Sequence, residues 1–153
     1  MKDNIEKLKI LLKRVGRESE LAEVENTLEA KQKLVNGLIE VVPLEQDEDL
    51  LIVCNEEGKL LSLPPNTLFD FDYIAGDYFI VGDDYKNGDF KSITEEQFNK
   101  IKPFIDEKSF KYEDKAIERF DMQRFKREMI FLTDDLYEEK TKKASKDKEL
   151  EEK

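Results

Sequence analysis

The chain has no histidine, no tryptophan and a single cysteine. Each shortage removes a class of chemistry. Without histidine there is no Ser-His or Cys-His dyad, and the commonest general base and metal ligand are both missing. Zinc sites of the usual Cys/His kinds are excluded with it. Cys54 stands alone, so no disulfide closes within the chain, which suits a reducing cytoplasm. No apolar run approaches the ~18 residues of a membrane helix, and Met1 to Lys9 lacks the apolar stretch of a secretory signal. Neither a P-loop nor a GxGxxG motif occurs, so phosphate-cradle chemistry and a bound cofactor have no support. Carboxylate-pair hydrolysis is left open by composition alone, with no spacing behind it. These absences point to a protein that binds its ligand rather than converting it.

What is present in excess is charge. Charged residues make up 41% of the chain, against roughly 25% in an average domain. Hydrophobic residues make up 39%, enough to bury one ordinary core. One folded body with a highly charged extension is expected. The net charge of −11 is unevenly placed. Residues 1–43 are neutral, 44–100 carry −10 and 101–153 carry −1. The acidic middle disfavours direct nucleic-acid binding, which draws its affinity from Lys and Arg.

The apolar pattern predicts an α+β fold. Strands are expected at Lys9 to Val15, closed by Gly16, and at Glu18 to Glu25 on an edge. A short helix follows from Thr27 to Val35, stopped by Asn36-Gly37. Leu38 to Val42 reads as a strand. Leu50 to Cys54, the most apolar run, reads as a central buried one. Asn55 to Gly58 is a turn, with Lys59 to Leu63 expected to return as its hairpin partner, and Pro64-Pro65-Asn66 as a rigid loop. Asp77 to Gly82 and Asp89 to Ile93 read as further strands around a turn at Asp83 to Gly88. That turn lacks the oxygen-ligand spacing of a calcium loop. Thr94 and Gln97 form a capping box for a helix reaching about Lys102, before Pro103. The expected architecture is a mixed or antiparallel sheet of about five or six strands with one or two short helices, plus a long C-terminal helix. Three segments follow: an α+β domain at 1–111, a charged amphipathic helix at 112–140 and a flexible charged tail at 141–153.

Several blocks occur in a distinctive order. They are Glu25 to Ala30, Gln32 to Val35 with Gly37, Ile39 to Leu44, Cys54 to Leu60 and Leu63 to Asn66. Ile74-Ala75-Gly76, Ile80-Val81-Gly82 and Phe90 to Thr94 complete the set. Over about residues 9–102 they resemble the DUF3846 family, a domain of unknown function found mainly in phages, prophages and conjugative elements. The resemblance implies a phage or mobile-element accessory protein acting in the cytoplasm of a bacterial host. Such proteins serve counter-defence roles, blocking a nuclease or sequestering a signalling nucleotide. Val15-Gly16-Arg17 stands where the family usually has a Pro-Gly-Lys turn, and the charged C-terminal helix is not associated with the core domain.

Three constellations are candidate binding surfaces. The first gathers Asn55, Glu56, Glu57 and Lys59 at a hairpin tip, with Asn66 nearby through the Pro-Pro loop. Apart from it, Asp70, Asp72 and Asp77, with Asp47, Glu48 and Asp49, would form an acidic face imitating DNA phosphates, Asp70 and Asp72 sharing one side if Phe69 to Tyr73 is extended. The bland alternatives are a well-built polar turn and a solubilising surface. The third is a seam of Met122, Phe125, Met129, Leu132 and Leu136, spaced 3-4-3-4 along a helix. It either packs on its own domain or meets a partner, a second copy included. The expected function is a non-enzymatic counter-defence inhibitor that binds a host protein such as a defence nuclease or effector. The alternatives are capture of a small nucleotide in a loop pocket, and homodimeric assembly through the C-terminal helix. In the middle of the chain Lys59, Lys86 and Lys91 offer positive charge to a phosphate, and helix N-termini would add to it.

Overall fold

The computed structural model describes residues 5–127. Strands β1 (Lys7–Lys13) and β2 (Glu20–Glu25) lead into helix α1 (Leu28–Val35). Then come β3 (Ile39–Pro43), β4 (Leu50–Asn55), β5 (Pro65–Leu68), β6 (Tyr73–Ala75), β7 (Tyr78–Asp84), β8 (Asp89–Lys91) and α2 (Glu95–Glu107). A further helix, α3, covers residues 114–127. The main sheet has six antiparallel strands in the order β2-β1-β7-β4-β3, with β8 added to β7. β5 and β6 form a separate two-stranded ribbon. The fold is α+β, with an antiparallel sheet.

Both faces are covered at the middle of the sheet, which explains the nearly unbroken apolar runs of β4 and of Tyr78 to Val81 in β7. Leu11, Leu50, Ile52, Cys54, Tyr78 and Ile80 point to one face, where Ile101 and Ile105 of α2 and Phe69 and Ile74 of the ribbon meet them. Leu8, Ile10, Leu12, Val53, Phe79 and Val81 point to the other, against Val35 of α1. Leu50 to Cys54 is central as expected, lying between β7 and β3.

That central place overturns one expectation. β4 has β3 on one side and β7 on the other, so no edge remains for residues 59–63 to pair with. They coil through consecutive turns instead, with Leu61 N–H donating to the Glu57 carbonyl at 2.9 Å and Leu63 N–H to Gly58 at 2.9 Å. Pro65-Asn66 is likewise not a loop but the start of β5, a strand position where proline forfeits no interior ladder bond. Phe69 to Asp72 is not extended. Phe69 N–H bonds the Asp72 carbonyl at 3.0 Å, closing the β5–β6 reversal.

The helix caps follow the sequence closely. The Thr27 hydroxyl accepts from Ala30 N–H at 3.2 Å, and Asn36 ends α1 in the left-handed conformation at φ 61°. Thr94 and Gln97 make both bonds of the capping box, at 3.0 and 2.9 Å. α2 runs past Pro103 to Glu107. Pro103 lies on the exposed face, so the carbonyl it leaves without a helical donor, that of exposed Asn99, is open to water. Phe98, Ile101, Phe104 and Ile105 keep the helix seated across the proline.

α3 docks on the body through Ile117, Phe120 and Arg124. The Arg124 guanidinium pairs with the buried Asp77 carboxylate, which also accepts from Val15 N–H at 2.9 Å. Asp121 bridges Arg124 and Arg17. Phe120 stands edge-on to Tyr112, whose hydroxyl donates to the Pro65 carbonyl at 2.6 Å. Gly16 sits under this helix with φ +74°, and a Cβ there would lie 2.8 Å from Ile117 Cγ1. Val15-Gly16-Arg17 thus lies at the seat of α3.

Candidate functional site

β3 and β4 leave part of their α2-side face uncovered, and the ribbon stands beside it. The resulting cleft encloses about 290 Å³. Its floor is apolar, made by Val42 of β3, Cys54 of β4 and Ile74 and Ala75 of β6. Phe71 and Tyr73 wall one side, and the coil of residues 56–60 closes one end. Among the described residues, Glu40, Glu56, Glu57 and Asp72 supply four carboxylates to the lining, and Lys59 supplies the single cation.

Local forces hold that geometry. Asn55 is buried and donates to the carbonyls of Val35 and Asn36 at 3.0 and 3.1 Å, while its oxygen accepts from Glu57 N–H at 2.8 Å. One side chain therefore ties the end of β4 to the C-terminus of α1 and shapes the turn that presents Glu56 and Glu57. Gly58 lies against the ribbon, where a Cβ would come within 2.7 Å of the Ala75 carbonyl oxygen. The Lys59 ammonium pairs with Asp72 and lies 4.4 Å from the centre of the Tyr73 ring. Lys59 and the Tyr73 N–H together hold the Asp72 carboxyl below the usual carboxylate range. The Cys54 thiol contacts the Glu40 carbonyl, and burial pushes its pKa up to about 12, so it is an inert part of the floor.

Of the residues singled out from sequence, Asn55, Glu56, Glu57, Lys59 and Asp72 converge on this cleft. Asn66 and Asp70 do not. Asn66 is fully buried and donates to the carbonyls of Lys13 and Gly76, both at 2.9 Å, while its oxygen accepts from the Thr67 hydroxyl. Both polar atoms of its side chain are bonded inside the fold. Asp70 is exposed at the ribbon tip, outside the lining, because the stacking of Phe69 on Phe71 turns it away.

Glu40, Val42, Phe71 and Tyr73 belong to the cleft and were not singled out. Their contribution depends on β3 and the ribbon sharing one face of the sheet, which no local pattern reveals. On α3, Met122 and Phe125 lie on the outward face, 61% and 62% exposed. They do not pack on the domain. Met129, Leu132 and Leu136, and the tail at 141–153, lie outside the described residues.

Among the described residues, no group of three or more acidic or cysteine side chains is arranged to hold a metal ion, and no helix is long and apolar enough to cross a membrane. No curated protein and no solved structure matches the chain. A family model does match, over residues 8–106, and the chain belongs to that family: DUF3846, a domain of unknown function.

Proposed function

We propose that the chain is a non-enzymatic binding protein whose partner is a protein presenting a basic segment to the cleft. The observation that supports this reading is the cleft's composition: an apolar floor, aromatic walls and four carboxylates against one lysine already paired. A nucleotide phosphate brought there would meet uncompensated negative charge. The N-terminus of neither α1 nor α2 contributes to the lining. The cleft therefore favours a cationic protein segment over a signalling nucleotide. If the chain serves a phage or mobile element, as its resemblance to DUF3846 implies, the partner would be a basic surface of a host defence nuclease or effector, and binding would inhibit it in the cytoplasm.

The experiment is affinity capture from a bacterial lysate with tagged full-length chain and, in parallel, the Glu56→Lys, Glu57→Lys double variant. Both side chains are exposed, so the substitutions leave the core intact. A protein retained by the parent and reduced at least tenfold on the variant is the expected result. Equal retention by both, or a nucleotide as the bound species, would refute the reading.

A second reading has one observation in its favour. The outward Met122 and Phe125 offer a separate apolar surface, suited to self-association through α3.

A further inference from the structure

β3 is the last strand of the sheet on its side, and its outer edge pairs with no strand among the described residues. Which backbone groups face that edge follows from the ladder. Glu56 N–H donates to the Leu38 carbonyl at 2.8 Å, and Leu44 N–H to the Leu50 carbonyl at 3.1 Å. Both bonds belong to the register that sets Glu40 opposite Cys54 and Val42 opposite Ile52. Hydrogen-bonded pairs alternate with non-bonded ones in an antiparallel ladder. Glu40 and Val42 therefore turn their backbone groups to β4. Ile39, Val41 and Pro43 turn theirs outward. The N–H groups of Ile39 and Val41, and the carbonyls of Ile39, Val41 and Pro43, make no bond outside the ladder among the described residues.

The same strand supplies part of the lining of the cleft. Glu40 and Val42 point into it, whereas Ile39 and Val41 point to the α1 side, where Val41 is 42% exposed. A strand added to this edge would alternate in step. Its residues on the cleft side would stand beside Glu40 and Val42, with Glu56 and Glu57 at the end of the cleft. Its residues on the other side would stand beside Ile39 and Val41. Cross-strand neighbours of opposite charge, and of matching apolar character, stabilise such pairing. The opposite edge of the sheet, β2, exposes Glu20, Glu23 and Glu25, and none of its residues lines this cleft. Glutamates there blunt the edge, while at β3 the carboxylates border a cavity large enough for a side chain.

We propose that β3 is a strand-addition site, taking an extended partner segment in which lysine or arginine alternates with apolar residues. The basic residues enter the cleft with their aliphatic stems on Val42 and Ile74. This rests on the reading of the cleft as a site for basic protein segments, and adds how the segment is held.

The probe is a blocked heptapeptide alternating valine with lysine and arginine, titrated into the ¹⁵N-labelled full chain. Two versions carry N-methyl groups on one or the other alternate set of residues, and a control replaces the basic residues with glutamate. The expected result is shifts at residues 38–43, 54–60 and 71–75, with Ile39 and Val41 amide exchange slowed at least tenfold at saturation. Methylation of one alternate set should weaken binding at least tenfold, and of the other less than twofold. Cleft shifts that persist with both methylated sets, without slowed exchange, would overturn strand addition and leave the cleft reading standing. An acidic peptide that binds equally well, or no shift with the basic one, would overturn both.

Discussion

Asn66→Ala is expected to lower the stability of the fold by about 3 kcal/mol. The side chain is fully buried and bridges two carbonyls, of Lys13 at the end of β1 and of Gly76 before β7, while accepting from Thr67. Thr67 in turn accepts from the Tyr78 hydroxyl at 2.8 Å. Truncation leaves buried acceptors without donors, at roughly 1–3 kcal/mol each, and opens a small cavity. Asn66→Asp should be at least as damaging, because it puts an oxygen where the amide donates to two carbonyls. The check is urea unfolding, read as a lower midpoint at constant slope. A loss under about 1 kcal/mol would show that this network does not hold the ribbon to the sheet.

Lys13→Met carries the opposite sign. Lys13 has no exposed surface, and its ammonium has one hydrogen bond, to the Arg14 carbonyl at 3.0 Å. Burial pushes its pKa down to about 8, partly offset by the negative charges of Asp106 and Asp77. A cation with a depressed folded-state pKa destabilises the fold fully below that value. The penalty shrinks as pH rises from about 8 towards the ordinary 10.5, because the unfolded chain then holds the proton that the folded one has lost. At about 1.36 kcal/mol per pH unit the whole penalty is about 3 kcal/mol. Methionine keeps the length without the charge and gives up one hydrogen bond. A gain of about 2 kcal/mol at pH 7 is therefore expected. The gain should fall steadily between pH 8 and 10.5. Paired urea titrations across that range measure it. A pH-independent difference would show that the Lys13 ammonium is not what the burial penalises.

The parts of the fold that were legible are those where local pattern and tertiary place agree. Leu50 to Cys54 is apolar on both faces because it is covered on both faces. Thr94 with Gln97, and Asn36 with Gly37, state the helix ends in their own side chains and backbone angles. What was illegible depends on competition for partners. Leu60 to Leu63 has the composition of a strand, but both edges of β4 are taken by more distant segments. Pro103 marks a helix end by propensity, yet Ile105 and Phe104 have a core to bury and the proline faces water.

The cleft divides in the same way. The turn residues Asn55 to Lys59 were visible because they are contiguous. Glu40 and Tyr73, contributed by other strands, were not. Asn66 was misread because a polar residue in a proline-rich stretch looks solvated, and only the packed ribbon shows it to be internal. On α3, Met122 and Phe125 stand three residues apart and face outward, while the rest of their seam lies outside the described residues. The inward face is set by Ile117, Phe120 and an arginine that neutralises the buried Asp77.

Site-specific photo-crosslinking tests most directly whether this DUF3846 chain works through the cleft. Leu60 lines the cleft and is 85% exposed, so a benzophenone amino acid there disturbs no packing. Phe125 on the outward face of α3 serves as the comparison. Illumination of bacterial cells expressing each full-length variant should give an adduct with a different protein from position 60. Adducts from position 125 alone, whether with a second copy of the chain or another protein, would contradict the account and move the functional surface to α3.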